Sequence, residues 1–527
     1  MAGPGVECEP LPTSEESPST SIPFISHGEE LFPWDSMDLR DDWIVELPPL
    51  PWDNNKRSLV RSLFSKKGSE LQFDQDSGRT VYVGPTSNHH LMTAVSSPAG
   101  LVPSEVGSQN VTLGRHEVVL LRTFQERIHG TFPILHDDIA AEPQQLMHEV
   151  VAQPLLLCIV LATAAFVLDE DVLARWSVSR ENMVNHYYRR FTASVGPELE
   201  NCCLHNVKAF LLKAYLDSLR GKLESATVFN SIASAMAKRL GLHVDCTIDR
   251  SSGFSSGNSM KRLSIFWATL WLDRRLAVLE GRTCHIDHVD ISSPRPLHLL
   301  RTRDPSLELP LSLELVFACQ VEFSWMQDIA LNKLYTFADH ISKEDAISES
   351  HLKFISWLGS LPASMKDLHN GKAFHPSFLA FHLSFHTGLI LLHRRFLDDN
   401  GQAAELSNRR CEESAAAITR RLKSYHEYFP ELLVDPMVLH AAFTSALVHL
   451  VLLLQPDIVT YRTSLKAIRS TKQILLSFTK ISPPALMILR DLRQFATKYD
   501  ISPANGRNFW AAPSDELDDT SIYDLDD

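Results

Sequence analysis

No stretch of this sequence is long and apolar enough to read as a membrane span, and its first residues carry neither the basic start nor the apolar core of a secretory signal. Two runs come nearest. Residues 155–168 stop short and end on Asp169 and Glu170, and residues 439–454 carry His440 and His449, so both read as buried helices. Catalytic signatures are missing too: there is no G-x-S-x-G, no phosphate-binding P-loop, no G-x-G-x-x-G, no H-E-x-x-H and no EF-hand loop. That pattern argues against an enzyme and implies no cofactor. Positive charge is in deficit, with 50 Lys and Arg against 64 Asp and Glu, a formal charge of −14. Neutralising phosphates needs clustered cations, so a chain this acidic is not built to hold a nucleic acid directly. The eight cysteines (Cys8, Cys158, Cys202, Cys203, Cys246, Cys284, Cys319 and Cys411) are too scattered for a disulfide framework, and read as reduced thiols in the cell interior.

What is present is a core. The hydrophobic fraction of 44% is that of a folded protein, and 527 residues suffice for one large domain or two to three ordinary ones. The ends differ from the middle. Residues 1 to about 55 are rich in Pro, Ser, Asp and Glu without helical or strand period, and the final stretch SDELDDTSIYDLDD has no Lys or Arg. Both read as disordered. Between the first segment and the body lie a basic stretch, NNKRSLVRSLFSKKG, and a short β-type run closed by a turn at Gly84 and Pro85.

From about Gly114 the spacing turns helical. Val207, Phe210, Leu211, Ala214 and Tyr215 recur at three and four residues before Gly221, and Phe229, Ile232, Ala233, Met236 and Leu240 repeat the stripe before Gly241, which predicts an αα-hairpin. A third helix, Lys261–Glu280, is apolar around most of its circumference and must sit between others, with Phe266, Trp267 and Trp271 buried alongside Phe229 and Met236. Asp273 within it calls for a cation or backbone donors. Further helices are predicted over 311–340, 351–361, 376–397, 407–428, 438–454, 463–477 and 484–498. The fold class is all-α: a large multi-helix body with a disordered N-terminal segment and an acidic C-terminal tail.

Few constellations could carry chemistry. His382, His386 and His393 share a helix, and His at i and i+4 can chelate zinc, but the segment is strongly apolar and packed neutral histidines are the plainer reading. Cys284, His285, Asp287, His288 and Asp290 are dense in donor atoms at irregular spacing, as in an ordinary polar loop. Cys202 and Cys203 are adjacent, poor geometry for joint ligation or for bonding each other. No metal site is therefore expected. Lys56, Arg57, Arg61, Lys66 and Lys67 form a candidate nuclear localisation signal or a solvated linker. Leu517, Ile522, Tyr523 and Leu525, interleaved with acids, form a candidate activation tail or a solubilising end, and Phe32, Trp34, Trp43 and Trp52 have the same two readings.

Several blocks carry a family resemblance. YVGPTSNHHLM, IHGTFPILHDD, AMAKRLGLHVD, RLSIFWATLWLDRRLAVLEGRTCHIDHVDI and FHTGLILLHRRFL, in this order over about residues 78–420, resemble the middle homology region of fungal zinc-cluster transcription factors, the fungal-specific transcription factor domain. Ala235, Thr283 and Arg395 depart from the usual Arg, Pro and Pro. The six-cysteine zinc cluster usual at the N-terminus has no counterpart, since only Cys8 precedes the domain. The resemblance implies this organisation: a disordered segment and linker over 1–77, an ordered clip and linker over 78–113, the middle homology domain over 114–420, C-terminal helices of the same body over 421–505 and the acidic tail over 506–527. It implies a transcriptional regulator, nuclear or cytoplasmic before activation. Its partners would be coactivators or the transcription machinery and a zinc-cluster protein or second copy, and DNA would be reached only indirectly. The alternatives are an adaptor or antagonist of a zinc-cluster factor, or a helical ligand-binding protein outside transcription.

Overall fold

In a computed structural model, the structure describes residues 70–74, 79–83, 113–134, 150–151, 153–245, 256–303, 309–335, 343–366, 375–396, 402–430, 434–454 and 457–498. Two strands, β1 (Glu70–Asp74) and β2 (Arg79–Val83), pair antiparallel with Leu71 opposite Tyr82 and Phe73 opposite Thr80. The β-type run read at Arg79 to Val83 is thus the second arm of a hairpin whose first arm reaches back into the stretch read as linker.

Everything else that is regular among the described residues is helical. The first group is α1 (Arg115–Phe124), α2 (Pro154–Val167), α3 (Glu170–Trp176), α4 (Arg180–Leu199), α5 (Leu204–Leu219), α6 (Leu223–Arg239) and α7 (Ser256–Glu280). α8 (Pro296–Arg303), α9 (Leu313–Tyr335), α10 (Lys343–Ser360) and α11 (Ala363–Lys366) follow. The last group is α12 (Pro376–His393), α13 (Gln402–Tyr428), α14 (Pro436–Leu452), α15 (Ile458–Phe478) and α16 (Pro484–Lys498). Helix starts obey local rules: Pro occupies the first position of α2, α12 and α14, where its missing N–H costs nothing, and Asp457 caps α15 by accepting from the Thr460 amide at 2.7 Å. The predicted αα-hairpin is α5–α6. Its turn rests on Gly221 at φ +77°, with the Lys222 amide donating to the Asp217 carbonyl at 2.8 Å to close the end of α5. α7 and α13 begin earlier than their apolar stripes suggest, at Ser256 and Gln402.

Three hydrophobic clusters make the core. The first packs α1, α2 and α4 to α7, and the third packs α8 to α10 with one side of α12. The second joins the other side of α12 to α13 through α16. α9 sends Val321 and Trp325 into the first cluster and Phe323 into the third, so it stitches the two together. A polar chain crosses the same seam: Trp271 Nε1 donates to Gln320 Oε1 at 3.2 Å, and Gln320 Nε2 donates to the Ser377 carbonyl at 3.0 Å.

Phe266, Trp267, Trp271 and Met236 are buried as the periodicity requires, whereas Phe229 is only half-buried. Phe229 does not close against apolar neighbours alone, because the Lys213 ammonium lies over its ring at 4.2 Å. Lys213 is itself buried and paired with Asp217 one helical turn on, whose carboxylate also accepts from Ser225 Oγ at 2.6 Å. Burial pushes the Lys213 amine below its ordinary range, with Asp217 opposing that shift.

Candidate functional site

Asp273 is 0% exposed and gathers donors from several elements. His285 donates through both its amide (2.9 Å) and Nδ1 (2.8 Å), Ile286 through its amide (3.2 Å) and Asn230 through Nδ2 (3.1 Å). Arg274 stands at 3.2 Å and Arg282 at 3.5 Å. Burial alone raises a carboxyl pKa, but the His285 hydrogen bond and the Arg274 charge hold Asp273 below its ordinary value. The requirement read from the sequence is met, and the consequence is local order. The loop after Gly281 is pinned to α7, and Arg274 fastens it again by donating to the Ile286 carbonyl at 2.7 Å and pairing with Asp328 at 3.3 Å.

The same geometry disperses the donor-rich loop. His285 turns to Asp273, Cys284 Sγ donates to Asp328 at 3.1 Å, Asp287 accepts from the Val289 amide at 3.1 Å, and Asp290 pairs with Lys238 at 3.4 Å. Burial drives the Cys284 thiol upward, away from a reactive thiolate. One contact went unread in the sequence: Ser231 Oγ lies 2.6 Å from His285 Nε2, completing the contact order of a serine–histidine–aspartate array. Ser231, however, lies inside α6 and donates to the Thr227 carbonyl at 2.8 Å. Helical amides around it are spent on their own ladder, and the array clasps the loop to α6. No sequence signal reveals it, since its members are spread over residues 231 to 285.

The histidines of α12 are packed. His382 lies edge-on to Phe378 (4.8 Å) and Phe381 (5.1 Å), and burial lowers its pKa to about 3. Burial takes His386 to about 3 and His393 to about 4, the latter bonded to His351 at 2.9 Å and Ser407 at 3.1 Å. Among the described residues no three His, Cys, Asp or Glu side chains converge as a metal site. Cys202 Sγ lies 3.6 Å from the Met236 carbonyl. Lys56, Arg57, Arg61, Lys66 and Lys67, and Leu517, Ile522, Tyr523 and Leu525, lie outside the described residues, as do Phe32, Trp34, Trp43 and Trp52. Arg395, at the position where the resemblance leads one to expect Pro, donates to the Leu334 carbonyl and ties α9 to the end of α12.

What the structure adds is a cavity of about 800 Å³ where early and late helices meet. The chain just after α1 forms a π-turn, Gln125–His129, whose extra residue per turn aims Arg127 and Ile128 at this space. Phe166 from α2, Tyr215 and Leu219 from α5, Ser377 and Ala380 from α12, Tyr425 from α13 and Asp435 before α14 complete the wall. Charges at the mouth are already paired: Arg127 with Asp169 at 2.7 Å and Arg180 with Glu170 at 2.7 Å. Asp435 pairs with Arg275, whose guanidinium stacks over Trp271 at 4.2 Å. A second hollow, of about 730 Å³, opens between α13 and α15. It is lined by Lys423, His426, Arg462, Lys466 and Arg469 with Glu427 as its acid, a basic groove on an acidic chain.

Residues 121–321 match the fungal specific transcription factor domain, so this part of the chain carries that domain. The match runs from the end of α1 into α9, so it supplies the early wall of the cavity, while α12 to α14 lie beyond it. No curated protein matches the chain. No helix among the described residues is long and apolar enough to cross a membrane.

Proposed function

We propose that this chain is the regulatory body of a nuclear transcriptional regulator, held in the cytoplasm before activation. It receives an input in its helical part and passes it to coactivators or the transcription machinery through the tail that contains Leu517, Ile522, Tyr523 and Leu525. In this reading the 527 residues do not themselves read DNA. They act through a zinc-cluster module, on a partner protein or on a second copy, and Lys56, Arg57, Arg61, Lys66 and Lys67 direct nuclear import. The observation that carries the reading is the domain match over residues 121–321, whose helices form one wall of a cavity closed by later helices. An input arriving there contacts both halves of the body. The acidic balance of the chain supports indirect rather than direct contact with DNA.

The test is a reporter assay in which the full chain is fused to an unrelated DNA-binding domain. Transcription should change relative to that domain alone, and deleting 514–527 should abolish the change without altering the urea unfolding midpoint. A fusion that behaves like the bare DNA-binding domain overturns the reading.

A further inference from the structure

We propose that the groove between α13 and α15 is a docking surface for the chain's own acidic segment 514–527, SDELDDTSIYDLDD, held by Lys423, Arg462, Lys466 and Arg469. The docking is independent of the transcriptional reading.

Charge is placed unevenly along this chain. Residues 402–498 carry 13 Lys and Arg against 8 Asp and Glu, although the whole chain carries 50 against 64. Within that region α15 has no Asp or Glu, and its Arg462, Lys466 and Arg469 follow one another at four and three residues. That spacing puts the three cations on one face of the helix, where like charges destabilise one another. Lys423 from α13 adds a fourth across the groove, with Glu427 as the acid among the lining residues. All four cations are exposed, and none has an ion-pair partner among the described residues. Arginines elsewhere on α13 are different: Arg409 lies 3.5 Å from Glu405 and Arg410 lies 2.7 Å from Glu413. An anionic segment laid in the groove relieves the repulsion and supplies the missing counter-charge.

The lining also selects among anions. Leu465 and Ile474 face the same hollow of about 730 Å³, so an occupant that brings apolar groups as well as charge fits it best. Segment 514–527 interleaves Leu517, Ile522, Tyr523 and Leu525 with seven acids and contains no Lys or Arg. Duplex DNA would match the charge but offers its phosphates without exposed aliphatic side chains.

The segment is also within reach. α16 shares a hydrophobic cluster with α15, through Leu489 and Leu492 on one side and Ile474 and Leu475 on the other, and ends at Lys498. Residues 499–513 separate that end from Ser514 and span up to about 50 Å when extended. α15, with its 21 residues, is about 32 Å long, so the tether covers the length of the groove. Tethering over this range sets an effective concentration of about a millimolar, and weak contacts then suffice.

The test is fluorescence anisotropy of a labelled peptide of residues 514–527, titrated with two full-length chains: the wild type, and one in which each acid of 514–527 is replaced by its amide. The amide chain should bind the peptide at one saturable site, and raising salt from about 0.05 M to about 0.5 M should weaken that binding about tenfold or more. The wild type should bind about tenfold more weakly than the amide chain, because its tethered segment competes for the groove. Lys466→Glu with Arg469→Glu in the amide chain should weaken binding about tenfold or more. Arg490→Glu with Arg493→Glu, an equal change of charge at exposed positions of α16, should leave it within about twofold. Circular dichroism and thermal midpoints establish that both double variants are folded. Equal binding by the wild-type and amide chains, or equal losses from the two double variants, overturns the proposal. Random duplex that displaces the labelled peptide more effectively than unlabelled peptide does would make the groove a nucleic-acid surface and overturns it as well.

Discussion

Arg275 and Asp435, 160 residues apart in sequence, form a buried ion pair that joins α7 to the start of α14. Asp435 also caps α14, accepting from the Met437 amide at 2.8 Å, so one carboxylate serves the helix end and the seam between the matched domain and the later helices. Replacing Asp435 by Ala should lower stability by about 3–5 kcal/mol, because it leaves a buried arginine uncompensated as well as an open helix end. Asp435→Asn keeps the cap and should cost less than Ala. Urea unfolding measures both, and a loss under about 1 kcal/mol for Ala would show that the pair does not hold the seam.

Asp273 is the second such hub. Asp273→Ala should detach the 281–286 loop and leave Arg274 buried with Asp328 alone, costing about 3–5 kcal/mol. Hydrogen exchange at the His285 and Ile286 amides, which donate to Asp273, should speed up well before the rest of the body opens. Unchanged protection of those two amides would contradict the clasp.

Acid should destabilise the fold through the histidines of α12. His382 is neutral in the folded chain down to about 3, while an unfolded histidine gains a proton near 6.5, so the unfolded state binds more protons between those values. Its contribution is complete above about pH 6.5 and is lost as pH falls, at about 1.4 kcal/mol per pH unit. His382→Gln should flatten the stability profile between pH 6.5 and 4 by about one proton's slope, measured by urea unfolding at each pH. An unchanged slope would mean that His382 is not buried neutral.

Helix α12 passes α9 at Gly388, where an added Cβ would stand 2.7 Å from Phe323 Cζ. Ala is the better helix former by about 1 kcal/mol, but the clash lies against a buried ring, so Gly388→Ala should be net destabilising by about 1–3 kcal/mol. Phe323→Leu in the same chain should recover part of that loss. If Gly388→Ala stabilises, the crossing is looser than the geometry requires.

The groove between α13 and α15 presents Lys423, Arg462, Lys466 and Arg469, cations of the kind that give salt-sensitive contact with a polyanion. Binding of the purified chain to duplex DNA should fall steeply with salt and be fully competed by random duplex. Saturable binding to one sequence that resists the competitor would reveal a reading element.

Periodicity carried most of the helical organisation, because three- and four-residue spacing and the glycines after α5, α6 and α7 are properties of the local chain: stripes and stops are written where they act. The demand for a partner at Asp273 was legible for the same reason, a carboxylate inside an apolar helix being costly wherever it lies. Which groups answered it was not, since His285, Asn230 and Arg282 come from three segments. The Lys213 ammonium over the Phe229 ring likewise comes from the neighbouring helix. The cavity was wholly a tertiary decision. Tyr215, Ser377 and Asp435 sit on ordinary stripes and caps, and only the packing of helices far apart in the chain brought them to the wall of one space.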